Sequence, residues 1–280
     1  MSNTQTTSVA TNADDRPRRA RWIAAVPWYT IAFVVVLVFA WWLVTAMHWA
    51  PPYILPSPAD TWAVFFKNPT YVWGGAWTTT WETLIGFALA TILGVVVAVV
   101  MVYSPTFEKT FYPIILFLQV VPKIAIAPLF VIWLGFGPGP KVLVAVLVAF
   151  FPVVISGLSG LRSIDPELLQ LTATMGASRW KTLFKVRFPG ALPELLSGVK
   201  VAATLAVTGA VVGEFVGANQ GLGYMILQAN GNLDTATLFA ALILMSILGV
   251  VMFLALEVAE RYLIPWHASQ RGRHLPQFGQ

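Results

Sequence analysis

Long apolar stretches separated by short polar segments dominate the chain. A helix needs roughly 20 apolar residues to cross the hydrocarbon core of a bilayer. Six stretches reach about that length, near residues 24–47, 78–102, 111–134, 141–160, 194–216 and 237–260. The pattern therefore predicts an all-α membrane protein with about six transmembrane helices, in one domain over residues 22–264.

The connections between these stretches carry their own signals. P-P-Y-I-L-P-S-P-A-D-T-W-A-V-F-F-K, after the first stretch, predicts a proline-stiffened loop and then a short amphipathic helix that starts near Pro58. The G-F-G-P-G-P run at 135–140 predicts a tight turn. Pro122 and Pro128 predict a kinked or broken helix in the third stretch, because proline cannot donate the helical hydrogen bond.

Composition agrees with a membrane protein and excludes several kinds of chemistry. The 280 residues are 58% hydrophobic and 10% charged, against about 25% charged in soluble domains. With no cysteine, the chain has no disulfide, no thiolate metal site and no cysteine nucleophile. Three histidines, two of them near the C-terminus, predict no histidine-rich metal or redox centre.

Basic residues are distributed unevenly about the predicted spans. If the N-terminus is inside, the alternate segments that face the cytoplasm hold thirteen Lys and Arg, and those outside hold only Lys67 and Lys141. This is the positive-inside bias of membrane proteins. It predicts both termini and the 161–193 loop in the cytoplasm, with polar tails at 1–21 and 265–280, the first of them disordered. The positive charge is therefore a sign of topology and not of nucleic-acid binding.

The first apolar stretch has a competing interpretation as a signal peptide. The apolar run from about Trp22 to Met47 is longer than the 7–15 residues of a signal-peptide core, and no clean small-residue cleavage site follows it. A retained membrane anchor is therefore the prediction.

The 161–193 loop is basic and lacks a membrane-length apolar run. Asp165 is placed to cap a helix that begins at Pro166, where a missing N–H has no cost. Leu168, Leu169, Thr172 and Met175 fall at helical spacing on one face. The pattern predicts a first short helix that ends at Gly176, since glycine adopts the left-handed conformation of a helix end.

A second helix is predicted directly after this glycine. Ser178 is placed to cap it, with Trp180, Leu183 and Phe184 as its apolar side. Pro189 and Pro193 are expected to end it before the next span. Two short amphipathic helices of this kind suit a groove in a partner protein, but also an interfacial position on lipid headgroups. Both alternatives stay open on the residues alone.

The loop resembles the EAA loop of ABC-importer permeases. Gly176, Ala177, Ser178, Arg179 and Trp180 match its G-A-S-x-W core, and Pro189 with Pro193 match its P-x-x-x-P end, whereas Gln170-Leu171-Thr172 replace the usual Glu-Ala-Ala. Residues 55–62, 122–137, 150–152 and 213–224 are similar to the nitrate, sulfonate and taurine branch of these permeases. That branch also includes importers of pyrimidine thiamine precursors and of riboflavin.

This resemblance implies a type I importer fold like that of the methionine importer, in the bacterial inner membrane. It implies a homodimeric permease, two ATP-hydrolysing subunits and an extracytoplasmic solute-binding protein as partners. It also implies that the loop contacts the ATPase through a defined set of residues. These are Asp165, Leu169, Thr172, Met175, Gly176, Ala177, Ser178, Arg179, Trp180, Phe184 and Pro189.

No G-x-x-x-x-G-K-[ST] phosphate-binding loop occurs in the sequence. Any ATP that drives transport is therefore expected on a separate chain, and this chain is expected to be neither an enzyme nor a cofactor-binding protein. A self-sufficient secondary transporter or channel is the rival from another class. It predicts function without partners and usually inverted repeats, which the sequence does not reveal.

Charged residues within spans are costly and usually face a protein interior or a cavity. Lys123 is a candidate to attract an anionic substrate, or it snorkels or pairs with a neighbouring carbonyl. Glu214 is a candidate to gate the pathway, or it caps backbone amides of the glycine-rich loop that follows. Glu82 is expected to stay solvated. Lys123 and the resemblance favour a small anion such as nitrate, a sulfonate or taurine, with the vitamin precursors as the alternative.

Overall fold

A computed structural model describes residues 28–264. The predicted tails at 1–21 and 265–280 lie outside these described residues. The chain divides into two compact units, Met1–Ala50 and Pro51–Gln280. In the first, helix α1 (Trp28–Ala46) is 19 residues long and has no buried residue. Such a uniformly apolar and uncovered helix is typical of a lipid-facing span.

The second unit contains the remaining helices of the described chain. They are α2 (Pro58–Lys67), α3 (Pro69–Tyr103), α4 (Pro105–Val120), α5 (Lys123–Leu134), α6 (Pro138–Arg162), α7 (Pro166–Thr174), α8 (Arg179–Thr182), α9 (Phe188–Gly217), α10 (Leu222–Gly231) and α11 (Thr235–Leu263). A π-helical turn over Leu183–Arg187 joins α8 to α9. The amphipathic helix predicted near Pro58 is α2, which Ser57 caps by accepting from the Asp60 N–H.

Five helices of the described chain are long and apolar enough to cross a membrane, or six if a bent pair counts as one span. The predicted count is therefore confirmed, but the third stretch is not one helix. It consists of α4 and α5, which meet at 98°. The chain bends at Val121 and Pro122, because Pro122 disfavours helical geometry in the residue before it.

The expectation that Pro189 and Pro193 end the second loop helix was wrong. Residues Arg179–Gly217 form a continuous helical stretch. Its π turn lets the Phe188 N–H donate to the Leu183 carbonyl, five residues earlier, instead of following the α-helical pattern. Pro189 is the second residue of α9 and directly follows this π turn, so the helix continues past it. The loop thus passes into the span without a break.

Helix α6 packs along both α3 and α9 and forms the centre of the second unit. Small residues permit this close approach. A Cβ added to Gly209 would lie 2.7 Å from Ala145 Cα, and one added to Gly213 would lie 2.6 Å from Lys141 Cα. The G-x-x-x-G pair of the fifth span therefore serves packing within the chain.

Helix α10 was missed by the sequence interpretation, which treated the region after Gly217 as a loop. It is only ten residues long, too short for a span, yet Leu222 and Met225 are fully buried against α2, α3 and α11. The Leu222–Met225 spacing was the available signal.

Candidate coupling surface and buried polar cluster

The two ends of the bundle differ in their contacts. At one, the segment from Ser163 to Arg187 contacts the last turns of α3 and α6; we call this the loop end. At the other, the beginning of α6 meets the first half of α3 and the end of α9. We call this the opposite end.

Helix α7 is built as its sequence predicts. Asp165 accepts a hydrogen bond from the Glu167 N–H at 2.9 Å, and Pro166 occupies the first helical position. Gly176 follows the helix with a φ of +67°, in the left-handed region. Ser178 then accepts from the Lys181 N–H at 3.4 Å and starts α8. The two helices are therefore connected by a turn whose left-handed conformation favours glycine at position 176.

Some of the predicted docking residues face the chain itself. Leu169 and Thr172 are half-buried, and they line a cavity of about 210 Å³ beside Tyr103. Ala177 and Arg179 line the same cavity. These four residues therefore lie on the inner side of the loop, and other residues form its outer surface.

Large apolar side chains are exposed on the outer surface of the loop. Met175 is 77% exposed and Trp180 is 68% exposed. Trp180 and Phe184 stack, with ring centroids 6.1 Å apart and planes inclined by 18°. Leu168 and Leu171 are exposed as well. Leu171 was missed as a surface residue, although its spacing from Leu168 and Met175 places all three on one helix face.

Two residues outside the predicted set hold the loop to the spans. The Tyr103 hydroxyl donates to the Arg179 carbonyl at 3.1 Å. Arg187 donates to the Leu161 carbonyl at 3.2 Å, and its guanidinium lies 5.8 Å from the centroid of the Tyr103 ring. The loop is thereby tied to the ends of both α3 and α6. No local sequence signal indicates these contacts, which join residues 76 and 26 positions apart.

The opposite end holds a buried ion pair. Lys141 of α6 donates to Glu82 of α3 at 2.8 Å. Glu82 is only 2% exposed and Lys141 only 6%. The expectation that Glu82 stays solvated was therefore wrong, since α6 brings a cation to it. Removing a charge from water is costly unless it is paired in this way.

Glu214 completes this buried polar cluster. It is 1% exposed, accepts from the Thr79 hydroxyl at 2.6 Å and from the Gly223 N–H at 2.5 Å. The Thr79 oxygen in turn accepts from the Leu222 N–H at 2.8 Å. A Cβ on Gly223 would lie 2.8 Å from Glu214 Oε2, so only glycine lets the backbone approach this closely. These are the contacts that the capping alternative for Glu214 requires.

Lys123 lies at the bend between α4 and α5, away from the buried polar cluster. Its ammonium donates to the Gln119 carbonyl and lies 5.1 Å from the centroid of the Phe151 ring. This is the carbonyl pairing named as the alternative to substrate attraction. Among residues 28–264, no group of three or more His, Asp or Glu is placed to hold a metal ion.

The geometry is that of a multi-pass helical bundle with an anchored loop at one end, on which large apolar side chains are exposed. Residues 90–265 match the family of binding-protein-dependent transport system inner membrane components. The chain belongs to this family of ABC-importer permeases. Such permeases are not enzymes, because ATP is hydrolysed on a separate subunit.

Named relatives cover nearly the whole chain. It is 34% identical to the formylaminopyrimidine transport permease of Halalkalibacterium halodurans, over 86% of this chain and 96% of the relative. It is 30% identical to the taurine transport system permease of Escherichia coli, over 94% of this chain and 99% of the relative. These similarities confirm the predicted family and include two different kinds of solute.

The fold is similar to a solved structure of the MetNI methionine ABC transporter in an inward-facing conformation. The TM-score is 0.63 at 21% identity, over 69% of this chain and 96% of that one. The predicted type I importer fold, like that of the methionine importer, is thereby confirmed.

Proposed function

We propose that two copies of this chain form the pathway of an ATP-driven importer, and that the loop end receives the ATPase subunits. ATP-driven closure of those subunits would push on α7 and α8 and rock the spans between inward and outward openings. Both termini and the loop would lie in the cytoplasm, with a solute-binding protein at the opposite end. The chain itself performs no covalent chemistry in this scheme.

The exposed apolar surface of the loop carries the proposal. It is formed by five side chains that are each at least 50% exposed: Leu168, Leu171, Met175, Trp180 and Phe184. An apolar patch rimmed by charges such as Lys181 and Lys185 is typical of a protein–protein contact. A lipid-resting loop would not need to be tied to two span ends through Tyr103 and Arg187, whereas a loop that transmits motion would.

A matched pair of double variants tests the docking surface. Trp180 and Phe184 are four residues apart and exposed. Trp62 and Phe66 of α2 have the same spacing and are also exposed, and their ring centroids are 5.9 Å apart. The full-length chain in nanodiscs is titrated with its ATP-binding subunit. Trp180→Ala with Phe184→Ala should weaken this association ~30-fold or more, because aromatic hot spots at interfaces contribute about 2 kcal/mol or more.

Trp62→Ala with Phe66→Ala should leave the association unchanged. Equal affinity in the two double variants would contradict docking at the loop. Solute uptake by the wild-type chain alone in liposomes, with no ATPase present, would instead support a secondary transporter.

For the solute, two classes have support of different kinds. The taurine permease among the relatives supports a sulfonate-like anion, which Lys123 was also expected to attract. The formylaminopyrimidine permease supports a nitrogen heterocycle. Because the Lys123 ammonium is already engaged by Gln119 and Phe151, the residue-level support for an anion is weakened.

A further inference from the structure

A cleft of about 480 Å³ lies at the opposite end, directly over the Glu82–Lys141 pair. Its walls include Trp77 and Trp81 from α3 and Phe136 from the turn before α6. Asn219 and Gln220 line it from the loop after α9. Its volume is within the range of small-molecule sites, which combine apolar walls with a few polar groups.

The cleft lies where a solute would arrive. Helix α3 has 35 residues, about 52 Å at the helical rise, whereas the hydrocarbon core is about 30 Å thick. The helix is therefore longer than the core requires, and its first half, which carries Trp77, Trp81 and Glu82, lies at the end away from the loop. If the ATPase docks at the loop end, the cleft faces the side from which an importer takes its solute.

The charges beneath the cleft disfavour an anion. Lys141 is already paired with Glu82 at 2.8 Å, and no other Lys or Arg lines the cleft. A sulfonate in the cleft would meet the Glu82 carboxylate and a lysine that is already paired with it.

The walls suit a flat ring with polar edges. Trp77 and Trp81 are four residues apart on one helix, so their rings share a face. The Asn219 and Gln220 side chains make no hydrogen bond to another described residue, and each amide both donates and accepts. Glu214 and Thr79 hold the end of that loop through Gly223 and Leu222. The amide-bearing segment is thus positioned by buried contacts.

We propose that this cleft receives the transported solute, and that the solute is a flat nitrogen heterocycle with N–H donors and not a small anion. The proposal rests on the importer function above and names its substrate class. Ring stacking on Trp81 and Trp77 would supply affinity, and the amides would read the heterocycle edge. An interfacial tryptophan belt is the competing use of these rings.

Trp73 separates the two uses. It lies on the same helix and is exposed, but it does not line the cleft, and its ring is near Phe65 of α2 instead. A belt would use Trp73, Trp77 and Trp81 alike. A binding site requires Trp81 and Trp77 only.

The experiment measures equilibrium binding to the full-length chain, assembled with its ATPase subunits in nanodiscs. The probes are radiolabelled cytosine and riboflavin as heterocycles, and taurine as the sulfonate. At least one heterocycle should bind saturably, and Trp81→Ala should raise its Kd by ~10-fold or more, as expected for the loss of one ring-stacking platform. Trp81→Phe should retain most of the affinity, and Trp73→Ala should change nothing.

Three results would overturn the proposal: taurine binding that depends on Trp81, heterocycle binding that Trp81→Ala leaves unchanged, or no binding of either heterocycle. ATPase association is measured on every sample. If it is lost in the wild type, the importer function fails, whereas intact association without heterocycle binding rejects the cleft alone.

Discussion

The two ends of the bundle use their non-covalent contacts in opposite ways. At the loop end, large apolar side chains such as Trp180 and Met175 stay exposed, while polar groups tie the loop to the spans. At the opposite end, charged side chains are buried and meet their partners within the chain. Exposed apolar surface suits the binding of another protein, as proposed for the loop end, whereas paired buried charges hold the helices of the chain itself together.

The largest effect is expected when the buried cation, Lys141, is removed from the opposite end. Lys141→Met should destabilise the chain by ~3–5 kcal/mol, because Glu82 would be left as an unpaired buried charge. Thermal unfolding in detergent measures the loss. Lys67→Met, at an exposed lysine, is the control, and adding Glu82→Gln to Lys141→Met should recover much of the stability. Equal melting of Lys141→Met and wild type would contradict the ion pair.

The next largest effect concerns Thr79 and Glu214, which accept hydrogen bonds from the Leu222 and Gly223 N–H groups after the glycine-rich loop. We call these contacts the polar clamp. Thr79→Val removes a hydroxyl that donates to Glu214 and accepts from Leu222, and should cost ~1–3 kcal/mol. Hydrogen exchange at Leu222 and Gly223 should become faster. Thr80→Val provides the comparison, since the Thr80 hydroxyl donates only to the Ala76 carbonyl of its own helix. Unchanged exchange in Thr79→Val would show that the clamp does not order the loop.

At the loop end, a substitution that strains the backbone should have a smaller effect on stability. Gly176→Val places a β-branched residue at a φ of +67° and should cost at least ~1 kcal/mol locally. The space around Gly176 is open, so the cost comes from the backbone and not from crowding. ATPase association and solute uptake should both fall. Gly74→Val, in equally open space within a helix, is the control.

Gly176→Asn should keep most of the activity, since asparagine tolerates the left-handed conformation. Wild-type association and uptake in Gly176→Val would reject the role of this turn in coupling.

The smallest expected effect tests whether the loop transmits motion between the ATPase and the spans. Tyr103→Phe keeps the ring beneath Arg187 but loses the hydroxyl bond to the Arg179 carbonyl, at a cost of ~0.5–1.5 kcal/mol. The measurement is ATP hydrolysed per solute imported, which should rise. Tyr112→Phe, on α4, should leave that ratio unaltered. An unaltered ratio in Tyr103→Phe as well would reduce the contact to a structural one.

Much of the loop end was predictable from local sequence. The Asp165 and Ser178 caps and the left-handed Gly176 each depend on residues within a few positions, and all three form as predicted. The continuous passage through Pro189 was not predictable, because a π turn accommodates the proline without ending the helix. Tyr103 and Arg187 were missed because their partners come from other helices.

The sequence by itself determined the membrane class, the approximate number of spans and the two helices of the loop. Hydropathy and capping are local properties, and they act before distant parts of the chain meet. Only the tertiary structure decided the 98° bend, the Glu82–Lys141 pair across 59 positions and the Thr79–Glu214 bond across 135. Whether a buried charge is paired depends on which helices pack together, and no local pattern records that choice.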